Sequence, residues 1–460
     1  MTEQKIVVQS LYFKAPKIHP KNSDGVFARL RVLSACLLLG WYYGSPWLTW
    51  NGRQAILFDL PGRKFHLFGL TLWPQDFVYL MWLLILAALS LFFFTALAGR
   101  LWCGYACPQT VWTKVFIWLE QLTEGDRNAR IRLQKEAMTA RKWRIKISKH
   151  GLWLVFSAFT GYTFVGFFVP IRELSSDIFN AGLGGWSWFW IAFYSFATWG
   201  NAGKLREQVC IYMCPYARFQ SAMFDKDTLI VSYDKKRGEQ RGSRRRGDKP
   251  AELGDCIDCM QCVHVCPTGI DIRNGLQMEC IACAACIDAC DDIMDQMNYP
   301  RGLVHYSTER KDAGGKLRVF RPRVLLYGAL LTVLFVLFLL ALGMRVPMAF
   351  DVIRDRGRLY NVTALGTIEN VYQLRIMNKD QKDHRYTLDV KTPAQATITM
   401  EREFAVKSGE IRIVPVRVEI DPYLLQTATS TLQFTLHDRD NDDYQVAEES
   451  RFIRPATGVR

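Results

Sequence analysis

No cysteine follows Cys290 in this chain of 460 residues. That absence excludes an inter-sheet disulfide and any thiolate site from residues 291–460. All 13 cysteines lie upstream, and the asymmetry points to two compartments, with thiol chemistry in the reducing one. Acidic residues are in deficit, 44 Asp and Glu against 58 Lys and Arg, which leaves a formal charge of +14. Such a charge invites a nucleic-acid reading. However, half of the residues are hydrophobic, with 14 Trp and 28 Phe. These fit membrane segments with aromatic belts, whose cytoplasmic loops collect Lys and Arg, so no nucleic-acid partner is expected. Residues 1–29 are polar and basic (Lys5, Lys14, Lys17, Lys21, Arg29). They lack the ordered charged, apolar and small-residue regions of a signal peptide. Length sets a prior of about three domains.

The densest feature is Cys256–Cys290. Two runs of C-x2-C-x2-C-x3-C stand back to back, Cys256, Cys259, Cys262 and Cys266 before Pro267, then Cys280, Cys283, Cys286 and Cys290. This spacing wraps three thiolates around one [4Fe-4S] cluster and directs the fourth to the other. The expected ligand sets are Cys256, Cys259, Cys262 and Cys290 for the first cluster, and Cys280, Cys283, Cys286 and Cys266 for the second. Zinc sites space two CxxC pairs by a longer insert, and disulfides are disfavoured in a basic, cytosol-like segment. Two clusters imply electron transfer. His264, between cluster cysteines, is expected in the cluster shell.

Five apolar stretches approach the roughly 20 residues needed to cross a bilayer: 30–50, 76–99, 150–171, 183–200 and 323–343. The fourth is short, and its Trp and Gly also suit a re-entrant segment. Loop 100–149 carries eleven Lys and Arg and loop 201–323 twenty, against three in 51–71 and Arg172 alone in 172–182. Basic loops belong inside. The N-terminus and clusters are therefore expected in the cytoplasm, with the C-terminus across the inner membrane. Residues 126–149 read as a basic helix resting on lipid headgroups, and 235–249 as a charged, mobile linker. From about 345, apolar–polar alternation in 367–378, 384–392, 396–400, 410–420, 430–438 and 444–453 predicts a β-sandwich with no evident catalytic constellation.

A second cysteine set forms an internal repeat. Cys103 and Cys107 before Pro108, and Cys210 and Cys214 before Pro215, both read C-x3-C-P. Pro is favoured at the first helical position, so Cys107 and Cys214 are expected at helix N-termini. There the helix dipole and the nearby Arg100, Lys114 and Arg218 would lower thiol pKa. Such thiols could form one four-thiolate site, form two redox pairs or hold a soft ion such as Cu(I). Cys36 is expected to be packing, and Met81 and Met213 gap-fillers. His66 is expected to be structural, on the far side of the membrane.

The layout resembles the cytochrome c oxidase accessory protein family known as CcoG, FixG or RdxA. The resemblance rests on the Trp102–Pro108 and Cys210–Pro215 motifs, the Cys256–Cys290 stretch, and a fifth span followed by a β-rich tail. It implies an α-helical integral membrane protein of about five spans, with an inserted dicluster ferredoxin-like α/β domain and a C-terminal all-β immunoglobulin-like sandwich. The expected divisions are a cytoplasmic segment 1–29, a four-helix membrane domain 30–230, a linker and cluster domain 231–322, the fifth helix 323–343, and a periplasmic sandwich 344–460. The resemblance implies two [4Fe-4S] clusters on the eight cysteines. It also implies reduction of Cu(II) to Cu(I), at Cys103, Cys107, Cys210 and Cys214, for assembly of a cbb3-type oxidase. Membrane lipid, a cytoplasmic electron donor and oxidase subunits or assembly factors are the expected partners. Two other readings compete. One is a quinol-linked electron relay, because the same motifs resemble the membrane subunit of periplasmic nitrate reductase systems. The other is a non-enzymatic assembly scaffold with redox-sensing clusters.

Overall fold

The computed structural model describes residues 17–247, 252–355, 357–425, 427–441 and 444–455. Most of the expected N-terminal segment 1–29 and the end of the charged run 235–249 lie outside them. The chain divides into two compact units. One combines the described residues up to Leu48 with Leu83–Leu334; the other combines Thr49–Trp82 with the described residues from Phe335 onward.

In the first unit, helices cover the first four apolar stretches. They are α1 (Val26–Gly44), α2 (Phe77–Ala98), α6 (Ala140–Val165) and α8 (Gly185–Thr198). Between them lie α3 (Leu101–Tyr105), α4 (Pro108–Glu124), α5 (Arg127–Lys135) and α7 (Ile171–Phe179), with α9 (Pro215–Met223) following. The fifth stretch is the helix Pro322–Gly343. Among the described residues, three helical segments are long and apolar enough to cross a membrane, Val26–Trp47, Pro74–Ala98 and Pro322–Gly343. The 14 residues of α8 span about 21 Å at 1.5 Å per residue, and the helix runs on as the π-helical segment Trp199–Leu205, which brings it close to the thickness of a hydrocarbon core.

Two expectations on basic segments are corrected. Residues 126–149 do not form one lipid-resting helix. The chain breaks after Lys135, and residues from Ala140 on are the first turns of α6. Arg130, Lys142 and Lys149 are buried because carboxylates and carbonyls inside the unit hold them. Glu120, with no exposed surface, takes Lys17 at 2.7 Å and Arg206 at 2.6 Å, with Arg130 at 3.8 Å and Lys149 at 3.9 Å. Lys142 Nζ donates to the carbonyls of Gln134 and Glu136. Residues 235–247 are likewise packed rather than linker-like. Arg237 pairs with Asp255 at 2.6 Å and donates to the carbonyls of Pro300 and Arg301, while Arg244 donates to Gly254 O and the Tyr299 hydroxyl.

The second unit is a sandwich. One sheet has the strand order Ala396–Thr399, Ile411–Ile420, Ile368–Asn378, Met348–Arg354, with Asn361–Val362 beside the third. The other runs Glu403–Val406, His384–Lys391, Thr429–Asp438, Gln445–Ile453. All ladders are antiparallel. Alternation puts Tyr372, Leu374, Ile376, Val414, Val416 and Val418 inside, against Leu388, Leu432, Phe434 and Leu436. The loop 51–71 also belongs to this unit. It forms a three-stranded sheet of Ile56–Asp59, Lys64–Leu67 and Leu70–Leu72. Asp76 ties it to the sandwich through Arg345 at 2.6 Å and Lys379 at 3.1 Å.

Candidate functional site: the cysteine cradles and the helix-end thiols

Backbone geometry builds the two cradles. Among the non-glycine residues with left-handed φ are Asp258 and Met260 in the first loop, and Ala282 and Ala284 in the second. Each pair occupies the second and fourth positions after the loop's first cysteine. Alternating left-handed residues turn successive N–H groups inward, the concave arrangement that holds anionic Fe–S centres. The amides of Ala282 and Ala285 donate to the Cys280 and Cys283 thiols respectively. Helix Ala285–Met297 then leaves the second loop carrying Cys286 and Cys290.

The cysteines sort into two small enclosed cavities of ≈ 20 Å³ each. One is lined by Cys256, Cys259, Cys262 and Cys290; the other by Cys266, Cys280, Cys283 and Cys286, and Cys262 borders both. Burial pushes the thiols of Cys262, Cys280 and Cys290 up to about 12, and neighbouring thiols add to the effect. A buried thiolate set of this kind calls for a cationic centre to hold it deprotonated. A single zinc ion, with Zn–S about 2.3 Å, would draw its sulfurs to within about 4 Å of one another. Among the described residues no three cysteine sulfurs lie within 4.8 Å of each other. The donor set and spacing fit a cubane, which spreads its ligands around a larger body. His264 is partly exposed, and its carbonyl accepts from Lys21 N at 2.8 Å.

The C-x3-C-P motifs sit where helix ends place them. Cys107 is the residue before α4 and Cys214 the residue before α9, each followed by Pro at the first helical position. Cys103 lies on α3, whereas Cys210 lies on a π-helical turn, Val209–Met213. The thiols of Cys103 and Cys210, for whose pKa the sequence set no expectation of its own, are shifted upward. Burial pushes Cys103 up to about 12 and Cys210 up to about 11, outweighing the opposing pull of Arg100. The Cys103 thiol donates to Gln220 Oε1 at 3.6 Å. Cys103 has Cys107 and Cys210 as electrostatic neighbours, and Cys210 has Cys107 and Cys214. The structure brings the four motif thiols into one neighbourhood without gathering them onto one ion.

This neighbourhood abuts the second cradle. A Cβ on Gly104 would lie 2.7 Å from Ile281 O and 2.8 Å from Cys283 Cα, so only glycine allows the approach. Arg100 donates to Met278 O and Ala217 O, joining α3, α9 and the cluster loop. The Tyr306 hydroxyl donates to Ala282 O at 2.6 Å and lies 3.3 Å from that of Tyr105. Helix α1 has no capping side chain and no acid in its first turn. Asp288 supplies the missing carboxylate, accepting from Phe27 N at 3.1 Å and Ala28 N at 2.8 Å. Arg31 closes the junction by donating to Cys283 O.

Cys36 is exposed rather than packed, and lines a cavity together with Cys210 and Cys283. Met81 and Met213 are also exposed. His66 reaches Thr71 Oγ1 at 3.1 Å, and burial lowers its pKa to about 4. Sequence reasoning passed over Gln220, Glu207 and Tyr306, which stand in no motif and gain their positions only through tertiary contact. It also passed over His384, whose ring lies between Asp380 at 2.9 Å and Asp438 at 2.7 Å in the sandwich. Asp440 completes a metal-sized group there, but both ring nitrogens already face carboxylates.

Comparison with known proteins agrees with this architecture. Residues 205–309 match the 4Fe-4S dicluster domain family, 80–123 a 4Fe-4S binding domain, and 338–455 the Ig-like fold at the C-terminal of FixG. Protein RdxB of Cereibacter sphaeroides is 41% identical over 87% of this chain and 87% of its own length. Protein RdxA of the same organism is 41% identical over 83% and 84%. Nitrogen fixation protein FixG of Rhizobium meliloti is 37% identical over 89% and 85%. A crystal structure of a FixG-related protein from Vibrio parahaemolyticus is 36% identical, with a TM-score of 0.22, covering 24% of this chain and 96% of that one. The chain is an iron–sulfur electron-transfer protein with membrane-type apolar helices, and it belongs to the FixG/RdxA family.

Proposed function

We propose that this chain is a multi-pass inner-membrane cupric reductase serving assembly of a cbb3-type cytochrome oxidase. In this reading five helices span, the clusters face the cytoplasm and the sandwich faces the periplasm. Cys256, Cys259, Cys262 and Cys290 hold one [4Fe-4S] cluster, and Cys266, Cys280, Cys283 and Cys286 the other. Each cluster supplies one-electron transfer. Cys103, Cys107, Cys210 and Cys214 receive copper, and their soft sulfur favours the reduced ion. The observation that carries the reading is the contact of Gly104, inside the first C-x3-C-P motif, with the backbone of Cys283. In this reading the electron-donating loop and the copper thiols are neighbours.

The test is anaerobic purification, iron and sulfide assay, reduction, then addition of Cu(II) with a Cu(I) chelator. About eight irons per chain and Cu(I) formed as the reduced signal disappears is the expected result. If Cys103→Ser with Cys214→Ser leaves Cu(II) reduction unchanged, the copper route is wrong.

A further inference from the structure

A large cavity beside the second cluster loop touches the four motif thiols through Cys210. Its volume is ≈ 860 Å³, in the range of sites that enclose a whole small molecule. One wall is α1, through Val32, Leu33 and Ala35. A second is α4, through Val111 and Ile117, and the third is the second cluster loop, through Ile281 and Cys283. Val32 and Leu33 are half exposed, on a segment apolar and long enough to cross a bilayer. The cavity thus borders surface that lipid would cover.

Two polar groups stand out in this apolar lining. Lys114 of α4 and Glu207 are both half-buried and line the cavity. Neither side chain forms an ion pair among the described residues, and the Glu207 carboxylate accepts from its own backbone N–H. Of the other charged groups lining the cavity, Lys21, Asp24 and Arg29 are exposed, and the two that are not are committed. Arg31 holds Cys283 O, Ser23 and Asp288, and Arg206 holds Glu120. An ammonium that donates, a carboxyl that accepts, apolar walls open toward lipid and an electron-accepting loop form a specific combination. Hydrated copper needs none of the apolar wall.

We propose that this cavity binds a lipid-soluble hydroquinone and is where electrons enter the protein. The inference rests on the reading that the eight cysteines hold clusters. Lys114 donates to one ring oxygen, and Glu207 accepts from the hydroxyl at the other. The hydroquinone loses two electrons and two protons and leaves as the quinone. The electrons go, one each, to the two [4Fe-4S] clusters, by way of the loop at Cys283. One proton passes to Glu207 and on to water, the other directly to water.

The experiment uses the full-length, iron-replete protein in lipid nanodiscs. Binding of a short-tailed quinone is measured by calorimetry, which needs no turnover, and an azido derivative maps the contact. Anaerobic EPR then follows cluster reduction by the matching hydroquinone. Saturable binding, labelling of α1 or α4 peptides, and hydroquinone-driven reduction are expected. Lys114→Met and Glu207→Gln should each weaken binding by about tenfold or more, the worth of one charge-assisted hydrogen bond, with iron content unchanged. Ala35→Trp, which fills the cavity from α1, should abolish binding, and the two polar variants keep the test valid if it misfolds. Absence of binding to iron-replete protein, labelling elsewhere, displacement of the probe by phospholipid alone, or wild-type affinity in both polar variants overturns the proposal. So does reduction by NADH or reduced flavin but not by hydroquinone. Quinone binding at α1 and α4 by a wild-type protein that holds no iron supports the site while sinking the cluster reading.

Discussion

The eight cysteines of 256–290 and the four of the C-x3-C-P motifs are positioned by opposite means. In the first set the local chain does the positioning. Short gaps, the left-handed pairs Asp258/Met260 and Ala282/Ala284, and a helix starting at Ala285 are all encoded within 35 consecutive residues. In the second set identical spacing yields different backbones, an α-turn at Cys103 and a π-turn at Cys210. What brings those thiols together is remote: Arg100 bridging α9 and the cluster loop, and Arg206, four residues before Cys210, held by Glu120. Cluster loops are portable units, whereas the helix-end thiols depend on the whole unit being assembled.

Cysteine replacement gives the sharpest separation. Cys286→Ala should lower iron from about eight to about four per chain, while Cys107→Ala should leave iron unchanged and impair only Cu(II) reduction. Iron loss in Cys107→Ala would break the distinction, because the residues 80–123 would then hold iron themselves.

Next in size is the buried hub behind the second motif. Glu120→Gln leaves Arg206, Lys17 and Arg130 without their carboxylate. It should destabilise the unit by roughly 3–5 kcal/mol, measured as a lower melting temperature in detergent. Burial by itself would raise the Glu120 carboxyl, but Arg206 and Lys17 outweigh it and hold it below the usual range. A depressed folded pKa means stability that is present above the unfolded value of about 4.3. That stability is lost as pH falls below it toward the folded value. Acid melting should therefore be shallower in Glu120→Gln than in wild type.

A smaller effect tests the junction itself. Gly104→Ala forces a methyl into the backbone of Ile281 and Cys283, at a cost of about 1–3 kcal/mol. Cu(II) reduction should slow while cluster content holds, read by chelator assay beside iron analysis. The smallest effect belongs to the cradles. Ala284→Gly relieves a left-handed alanine and should change stability by less than about 1 kcal/mol. Ala284→Val should release iron to a chelator faster than wild type.

The sequence could be read well where local rules dominate. Strand alternation marked most of the sandwich but passed over Met348–Arg354, and Cys107 and Cys214 were placed at helix starts because Pro follows each. Reading failed where remote groups decide. Lys142, Lys149 and Arg130 looked like part of a basic helix resting on lipid headgroups, but buried acceptors, the carboxylates of Glu120 and Glu124 and loop carbonyls, draw them inside. No spacing along the chain shows that desolvation at Cys103 and Cys210 outweighs the pull of Arg100. Residues 51–71 read only as a loop, and no local pattern shows that Asp76 pairs with Lys379.

The sequence by itself determined the cluster loops, the apolar helices and the sandwich strands. Each depends on spacing or periodicity within a few turns of chain. Tertiary structure alone decided that Asp288 caps α1, that Gly104 lies against Cys283, and that Lys114 and Glu207 line one cavity. The physical reason is that burial and charge pairing act through space between residues far apart in the chain, and no spacing along the chain records them.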